Sequence, residues 1–172
     1  NAYETILSGW VTQGPRVEEF ENKFCEFTGA KYSVAVSNCT TALHLAMIVS
    51  GIGPGDEVIC PSMSYVATAN CIKYVGATPV FAEINPLTFN IDVKHADKLI
   101  TPKTKAILIV HQIGMPADID AFRKLCDERN IKLIEDAACA VGSAYKGKKI
   151  GSHSEIVCFS FHPRKVITTG DG

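Results

Sequence analysis

Residues 105–136 decide the fold and read KAILIVHQIGMPADIDAFRKLCDERNIKLIED. The runs KAILIV (105–110) and IKLIED (131–136) are almost continuously apolar until a polar group follows, which is typical of strands covered on both faces. The segment IDAFRKLCDERN (119–130) between them has the apolar period of a helix. A helix between two strands gives the chain room to return and pair in parallel, so this stretch predicts a βαβ unit.

The same alternation runs through the rest of the chain. Short apolar runs predict further strands, and segments of helical period separate them. The predicted strands are YSVAVS (32–37), DEVICP (56–61) and TPVFAEI (78–84), and the predicted helices are TTALHLAMIVS (40–50), SYVATANCIKYV (64–75) and VKHADKLI (93–100). A first helix is expected from Arg16 onward, with Gly29 as its C-terminal cap. We therefore expect an α/β fold with a mostly parallel sheet between two helical layers.

Composition and charge limit the possible functions. The chain has 172 residues, 47% of them hydrophobic, and 17 Lys and Arg against 18 Asp and Glu give a formal net charge of −1. That balance leaves no basic stripe for nucleic-acid phosphates. No apolar run is long enough to span a bilayer, and the N-terminal residues lack the pattern of a signal peptide. We expect a cytoplasmic protein without a nucleic-acid or membrane partner.

The seven cysteines are scattered and contain no C-x-x-C pair. A disulfide scaffold would be smaller and denser in cysteine, and a structural zinc site would need paired ligands. We expect reduced thiols and no metal site. The histidines are interpreted as packing or hydrogen-bonding residues, because no other His or Cys lies at ligand spacing.

Ligands in parallel sheets collect at the carboxyl ends of the strands. This rule directs attention to residues 37–41, 61–65, 136–139 and 160–165, which follow or end predicted strands. The glycines of GIGPGD (51–56) resemble a dinucleotide loop in spacing. A helix precedes them and a strand follows, which is the reverse of that motif, so we interpret them as a turn.

The segment SNCTTAL (37–43) leads into a predicted helix. Backbone N–H groups and the positive end of the helix dipole would favour a phosphate there, and the hydroxyls of Thr40 and Thr41 would add donors. The same residue types also serve as a simple helix N-cap. The segment alone leaves both interpretations open.

Charged groups end two other predicted strands. Glu135 and Asp136 precede the small residues AACA (137–140), and a carboxylate in this place serves as metal ligand, catalytic base, helix cap or partner of a protonated ring nitrogen. The local sequence does not choose among these roles. In CFSFHPRK (158–165), two cations suggest an anionic ligand, and desolvation would make Lys165 an amine nucleophile toward a carbonyl; a solvated surface lysine is the alternative.

Taken together, these segments resemble the DegT/StrS-type sugar aminotransferases, which are pyridoxal-phosphate (PLP) enzymes of the aspartate-aminotransferase fold, fold type I. The resemblance extends from SGWVTQGPRVEEFE (8–21) to FSFHPRKVITTGDG (159–172) and includes SNCTTALHLA (37–46) and IEDAACAVGSAYKGKKIG (134–151) in the same order. It implies that residues 1–172 are the N-terminal part of a PLP-binding large domain. The C-terminal small domain would then lie outside this chain, and the enzyme would be a homodimer.

The resemblance also implies roles for individual residues. Lys165 matches the lysine that holds PLP as a Schiff base and moves a proton during the reaction. Asp136 matches the carboxylate paired with the pyridinium nitrogen, and Tyr65 matches an aromatic ring stacked on the cofactor. Cys139 stands where the family commonly has Gln or His beside the cofactor's 3′ oxygen, and Asp171 replaces the usual Glu. The positions that bind the phosphate are matched by Thr40, Thr41 and Ser160.

The activity implied is transfer of an amino group from glutamate or glutamine to a nucleotide-linked keto sugar, for surface polysaccharide, lipopolysaccharide or antibiotic biosynthesis. One alternative is a PLP-dependent sugar dehydratase of the same family, in which a histidine replaces the Schiff-base lysine. Lys165 argues against that alternative. A second alternative is a catalytically silent fragment or regulatory homologue that keeps the fold.

Overall fold

The computed structural model describes residues 2–172, which divide after Ala35 into two compact units. The first unit contains helices α1 (Ala2–Leu7) and α2 (Pro15–Thr28). Proline at the first position of α2 needs no N–H partner, and Gly29 ends the helix in the left-handed region with φ 79°. The predicted first helix and its glycine cap are therefore confirmed, whereas α1 is a helix that the sequence pattern did not predict.

The second unit alternates strands and helices. In chain order its elements are α3 (Cys39–Val49), β1 (Glu57–Pro61), α4 (Ala67–Tyr74), β2 (Thr78–Ala82), α5 (Val93–Lys98), β3 (Thr104–Val110), α6 (Ile119–Arg129), β4 (Lys132–Asp136), β5 (Ala144–Tyr145), β6 (Lys148–Lys149) and β7 (Ile156–Cys158). Five strands form one parallel sheet in the order β2-β1-β3-β4-β7, and β5 and β6 form a short antiparallel hairpin. The predicted βαβ unit and the parallel sheet are confirmed.

Each face of the sheet carries its own hydrophobic core. Successive side chains of a strand point to opposite faces, and β3 shows the result most clearly. Leu108 belongs to a core that includes Leu43 of α3, while Ile109 belongs to a second core that includes Phe122 of α6. The helices α3 and α4 thus cover one face and α5 and α6 the other, which confirms the expected three layers.

The prediction of a strand over residues 32–37 is wrong. This segment pairs with no strand among the residues that the structure describes, and the side chains of Tyr32 and Val34 are each 76% exposed. Its β-branched and aromatic composition favours a strand only where a neighbouring strand and a packed face are available. Composition alone therefore overstated the sheet at this point.

The strand β2 forms one edge of the sheet within residues 2–172. Its pairing with β1 continues without interruption through Pro79, which lies opposite Val58. Proline has no N–H to donate, so it is tolerated on the open side of an edge strand. In the part of the chain described, no helix has both the length and the apolar character needed to cross a bilayer.

Candidate active site

The carboxyl ends of the parallel strands meet along one edge of the sheet. Three of them carry candidate groups, because the loops after β1 and β7 and the last residue of β4 all lie there. A hydrogen bond links the loops after β1 and β3, in which Gln112 Nε2 donates to the Met63 carbonyl at 2.8 Å. The helix α3 packs against α4 and β7, and the charges of Asp136 and Lys165 act on its first residue, Cys39. The sheet therefore gathers three strand ends that carry candidate groups and one helix N-terminus.

Asp136 is the buried carboxylate of this edge. It ends β4, is 4% exposed, and accepts hydrogen bonds from the Thr68 hydroxyl at 3.0 Å and from the Ala138 N–H at 3.1 Å. Burial raises the pKa of Asp136, and the hydrogen bonds from Ala138 and Thr68 and the charge of Lys165 oppose that shift. The residues after Asp136 form a turn and not a helix, so the helix-cap alternative is excluded.

Lys165 lies in the loop that follows β7. Its backbone N–H donates to the His162 carbonyl at 2.9 Å, and its Nζ lies 3.4 Å from Cys139 Sγ. The side chain is half-buried, and its charge is near enough to Asp136 to lower the pKa of that carboxyl. The structure therefore brings Lys165, Cys139 and Asp136 together and removes Lys165 from the fully solvated surface.

The first turn of α3 lies close to this edge, because its first residue, Cys39, is near the charges of Asp136 and Lys165. Asn38 is the N-cap, and its side-chain oxygen accepts from the Thr41 N–H at 2.9 Å and from the Thr41 hydroxyl at 3.1 Å. The cap interpretation is therefore confirmed. Because an N-cap side chain satisfies only one of the orphan N–H groups, those of Cys39 and Thr40 remain directed away from the helix.

Ser160 and Tyr65 lie on this edge, and among the described residues neither of their hydroxyls is hydrogen-bonded to Asp136, Cys139 or Lys165. Ser160 is 4% exposed, and its hydroxyl donates to the Gly172 carbonyl at 3.4 Å while accepting from the His162 N–H at 3.3 Å. Tyr65 precedes α4, and its ring is 77% exposed. The Tyr65 ring is thus free to contact a ligand, whereas the Ser160 hydroxyl is engaged within its own loop.

Sequence reasoning missed Thr68. This residue lies in α4, is 1% exposed, and joins Asp136 to Ser64, whose hydroxyl is 2.7 Å from that of Thr68. A buried polar side chain in the helix after β1 was the available signal, because such a group needs a polar partner. The partner itself lies 68 residues further along the chain.

His111 and Glu135, the residue before Asp136 in β4, form a buried hydrogen-bonded pair. His111 Nε2 is 2.8 Å from Glu135 Oε2, both side chains are fully buried, and His111 Nδ1 accepts from the Ala117 N–H at 3.1 Å. An accepting Nδ1 leaves the proton on Nε2, so a neutral His111 donates to Glu135. The interpretation of His111 as a hydrogen-bonding residue is confirmed. Glu135 Oε1 has no hydrogen-bond partner among the described residues.

All seven cysteines are free thiols. Burial raises the pKa of four of them, Cys60, Cys71, Cys126 and Cys158, to about 12. Within residues 2–172, no group of three or more His, Cys, Asp or Glu is arranged to hold a metal ion.

Similar proteins share these segments over nearly the whole chain. GDP-perosamine synthase from Caulobacter vibrioides is 49% identical over 170 residues, which are 98% of this chain and 46% of that protein. Spore coat polysaccharide biosynthesis protein SpsC from Bacillus subtilis is 46% identical over 169 residues, or 98% of this chain and 43% of that protein. The chain therefore spans about half the length of the curated relatives it matches.

Solved structures agree with the sequence comparison. A putative sugar aminotransferase from Streptococcus pneumoniae, in its PLP form, superimposes with a TM-score of 0.96 and 36% identity, covering 99% of this chain and 47% of that one. Its PMP form gives the same values. The sequence model of one family matches residues 1–172 throughout. The chain belongs to the DegT/DnrJ/EryC1/StrS aminotransferase family, a family of PLP-dependent enzymes.

Proposed function

We propose that the full protein transfers an amino group from glutamate or glutamine to a nucleotide-linked keto sugar. The observation that carries the proposal is the convergence of the Lys165 amine and the buried Asp136 carboxylate at the carboxyl edge of the sheet. Two relatives bear names that refer to a GDP-linked sugar and to polysaccharide biosynthesis, which supports a sugar substrate.

The groups at this edge fit PLP chemically. Both hydrogen-bond donors to the Asp136 side chain, the Thr68 hydroxyl and the Ala138 N–H, are uncharged, and no ion pair within residues 2–172 includes this carboxylate. A buried carboxylate without a hydrogen-bonded cation is costly, and a protonated ring nitrogen would supply one. The half-buried Lys165 adds a primary amine suited to a carbonyl group.

Lys165 and Asp136 would have different roles toward the bound cofactor. PLP, when bound, supplies an aldehyde and an electron-withdrawing ring. Lys165 would bind that aldehyde through Nζ and, once released, would carry a proton on Nζ to and from the substrate. Asp136 would keep the ring nitrogen protonated, because attraction between opposite charges is strong in a buried site.

Further residues would position the cofactor. The N–H groups at the start of α3 would bind its phosphate through the positive end of the helix dipole. The exposed Tyr65 ring would stack on its face, and Cys139 would lie beside its 3′ oxygen. The hydroxyls of Thr40, Thr41 and Ser160 would also bind the phosphate.

We also propose that residues 1–172 form the N-terminal part of a PLP-binding large domain. The matched relatives are about twice as long as this chain, which supports a further small domain in the complete protein. The same resemblance supports a homodimer in which each subunit lends residues to its neighbour's site. Contacts from outside residues 1–172 would then complete the recognition of the sugar nucleotide.

The Schiff-base role of Lys165 is tested by reductive labelling of the full-length protein. After incubation with PLP and reduction with borohydride, peptide mass spectrometry should find the pyridoxyl group on Lys165. Lys165→Ala should lose the label, the visible absorption of bound PLP, and the keto-sugar-dependent formation of 2-oxoglutarate from glutamate. The matched control is Lys148→Ala, since Lys148 is exposed on β6. Transamination by Lys165→Ala, or labelling elsewhere in a folded wild-type protein, would defeat the proposal.

A further inference from the structure

We propose that Thr68 is a positioning residue that holds the Asp136 carboxylate ionised and in one orientation for the cofactor's ring nitrogen, with Ser64 supporting it. This inference rests on the proposed function and names a residue that acts through Asp136. The Thr68 side chain is fully enclosed between α4 and the end of β4, at 1% exposure.

The hydrogen bonds among Ser64, Thr68 and Asp136 have one consistent direction. An ionised carboxylate can only accept, so the Thr68 hydroxyl must donate to Asp136 Oδ2 across their 3.0 Å separation. The Thr68 oxygen can then accept from the Ser64 hydroxyl, 2.7 Å away. The result is a two-step chain of donors, from Ser64 to Thr68 to Asp136, in which each bond polarises the next.

The Thr68 hydroxyl is not needed by its own helix. The N-cap of α4 is Val66, which makes no side-chain cap, and the Thr68 N–H is satisfied by the Tyr65 carbonyl at 3.0 Å. The hydroxyl is instead directed at a residue of another element. This separates Thr68 from the usual threonine near a helix N-terminus, whose side chain bonds to the local backbone.

Asp136 is held at two points, and only one of them depends on a side chain. The Ala138 N–H binds Oδ1, and Thr68 binds Oδ2, so the plane of the carboxylate is fixed. Thr68 is the single side-chain donor to Asp136 within residues 2–172. Both bonds favour the charged form against burial, and a hydrogen bond to a charged group contributes more than a neutral one.

The test uses the full-length protein loaded with PLP and the matched variants Thr68→Ser and Thr68→Ala. Both variants lack the threonine methyl, and only serine keeps the donor. We expect Thr68→Ala to weaken PLP binding about ten- to a hundredfold, and Thr68→Ser to stay within about threefold of wild type. Ser64→Ala should have a smaller effect than Thr68→Ala.

A spectroscopic measurement distinguishes positioning from a purely structural role. Loss of the Thr68 donor raises the pKa of the Asp136 carboxyl, because the hydrogen bond from Thr68 favours the ionised form that pairs with the ring nitrogen. The midpoint of the pH titration of the bound cofactor's absorbance should therefore shift from the wild-type value in Thr68→Ala and in the near-isosteric Thr68→Val, and return toward wild type in Thr68→Ser.

Two results would overturn the inference. One is a wild-type midpoint and affinity in folded Thr68→Ala, and the other is an equal loss in Thr68→Ser and Thr68→Ala, which would assign the effect to the methyl group. Failure of the proposed function is separable, because the wild-type protein would then show no PLP label at Lys165.

Discussion

The cysteine side chains differ in burial and therefore in expected reactivity. Cys139 is exposed and lies 3.4 Å from the Lys165 amine, while Cys60, Cys71 and Cys158 are buried with their pKa raised to about 12. The thiolate is the reactive form of cysteine, and a raised pKa withholds it at neutral pH. The exposed Cys139 is therefore accessible to reagents, whereas the buried thiols are both inaccessible and neutral at neutral pH.

We expect iodoacetamide at about pH 8 to label Cys139 well before the buried thiols, because only an accessible thiolate reacts quickly. Peptide mass spectrometry at successive times measures each site, and the same reaction in denaturing urea serves as the control in which all sites should react. Cys25, which is half-buried, should react at an intermediate rate. Labelling of Cys60 or Cys158 as fast as Cys139 in folded protein would contradict this division.

Single residues also show how far sequence reasoning reached into the site. Asp136, Cys139 and Lys165 follow or end strands, so a rule about strand ends was sufficient to select them. The role of Thr68 was not predicted, because its partner lies 68 positions away and because a threonine in a short helix has several possible local roles. Long-range hydrogen bonds of this kind depend on the register of the sheet, which the local pattern does not contain.

At the scale of single elements, the end of α6 shows how an unfavourable backbone conformation affects stability. The helix α6 ends at Asn130, which adopts the left-handed region with φ 52° and ψ 45°, and its N–H donates to the carbonyls of Asp127 and Cys126. Residues with a Cβ pay for this conformation, asparagine less than most and glycine least. The end of α6 therefore depends on the residue type at position 130.

We expect Asn130→Ala to lower the free energy of unfolding by about 1 kcal/mol and Asn130→Gly to change it by less than about 0.5 kcal/mol. Urea unfolding of the full-length protein, followed by circular dichroism, measures both. The neighbouring exposed residue Arg129 supplies a control in Arg129→Lys, which keeps the charge and the helical conformation. A larger loss for glycine than for alanine would refute the assigned geometry.

Elements were predictable where packing reinforced local pattern. The runs KAILIV and IKLIED became adjacent parallel strands, because both of their faces are covered by helices. Residues 32–37 have similar apolar composition but lack a pairing neighbour among the described residues, so composition misled there. The hairpin of β5 and β6 was not predicted, because strands of two residues are too short to show an alternating pattern.

At the scale of the whole second unit, stability is shared between two cores separated by the sheet. Leu43 is 1% exposed in the core under α3 and α4, and Phe122 is fully buried in the core under α5 and α6. The strands supply side chains to both cores, so neither core can form without the sheet. The two cores should nevertheless respond independently to small changes.

We expect Leu43→Ala to cost about 2–5 kcal/mol and Phe122→Ala about 3–5 kcal/mol of unfolding free energy, because each leaves a cavity. The double variant should equal their sum within about 0.5 kcal/mol, since the two sites share no side-chain contact. Urea unfolding of the full-length protein measures all three, with the exposed substitution Lys124→Ala as control. A strongly non-additive double variant would show that the sheet couples the two cores.

The edge strand β2 has a consequence for behaviour at high concentration. An open strand edge offers a row of N–H and C=O groups onto which a strand from another molecule can add, and repeated addition leads to aggregates. Pro79 interrupts that row, because its ring nitrogen carries no hydrogen, while the pairing with β1 on the inner side remains intact. The missing donor at Pro79 therefore disfavours the addition of a strand from another molecule along this edge.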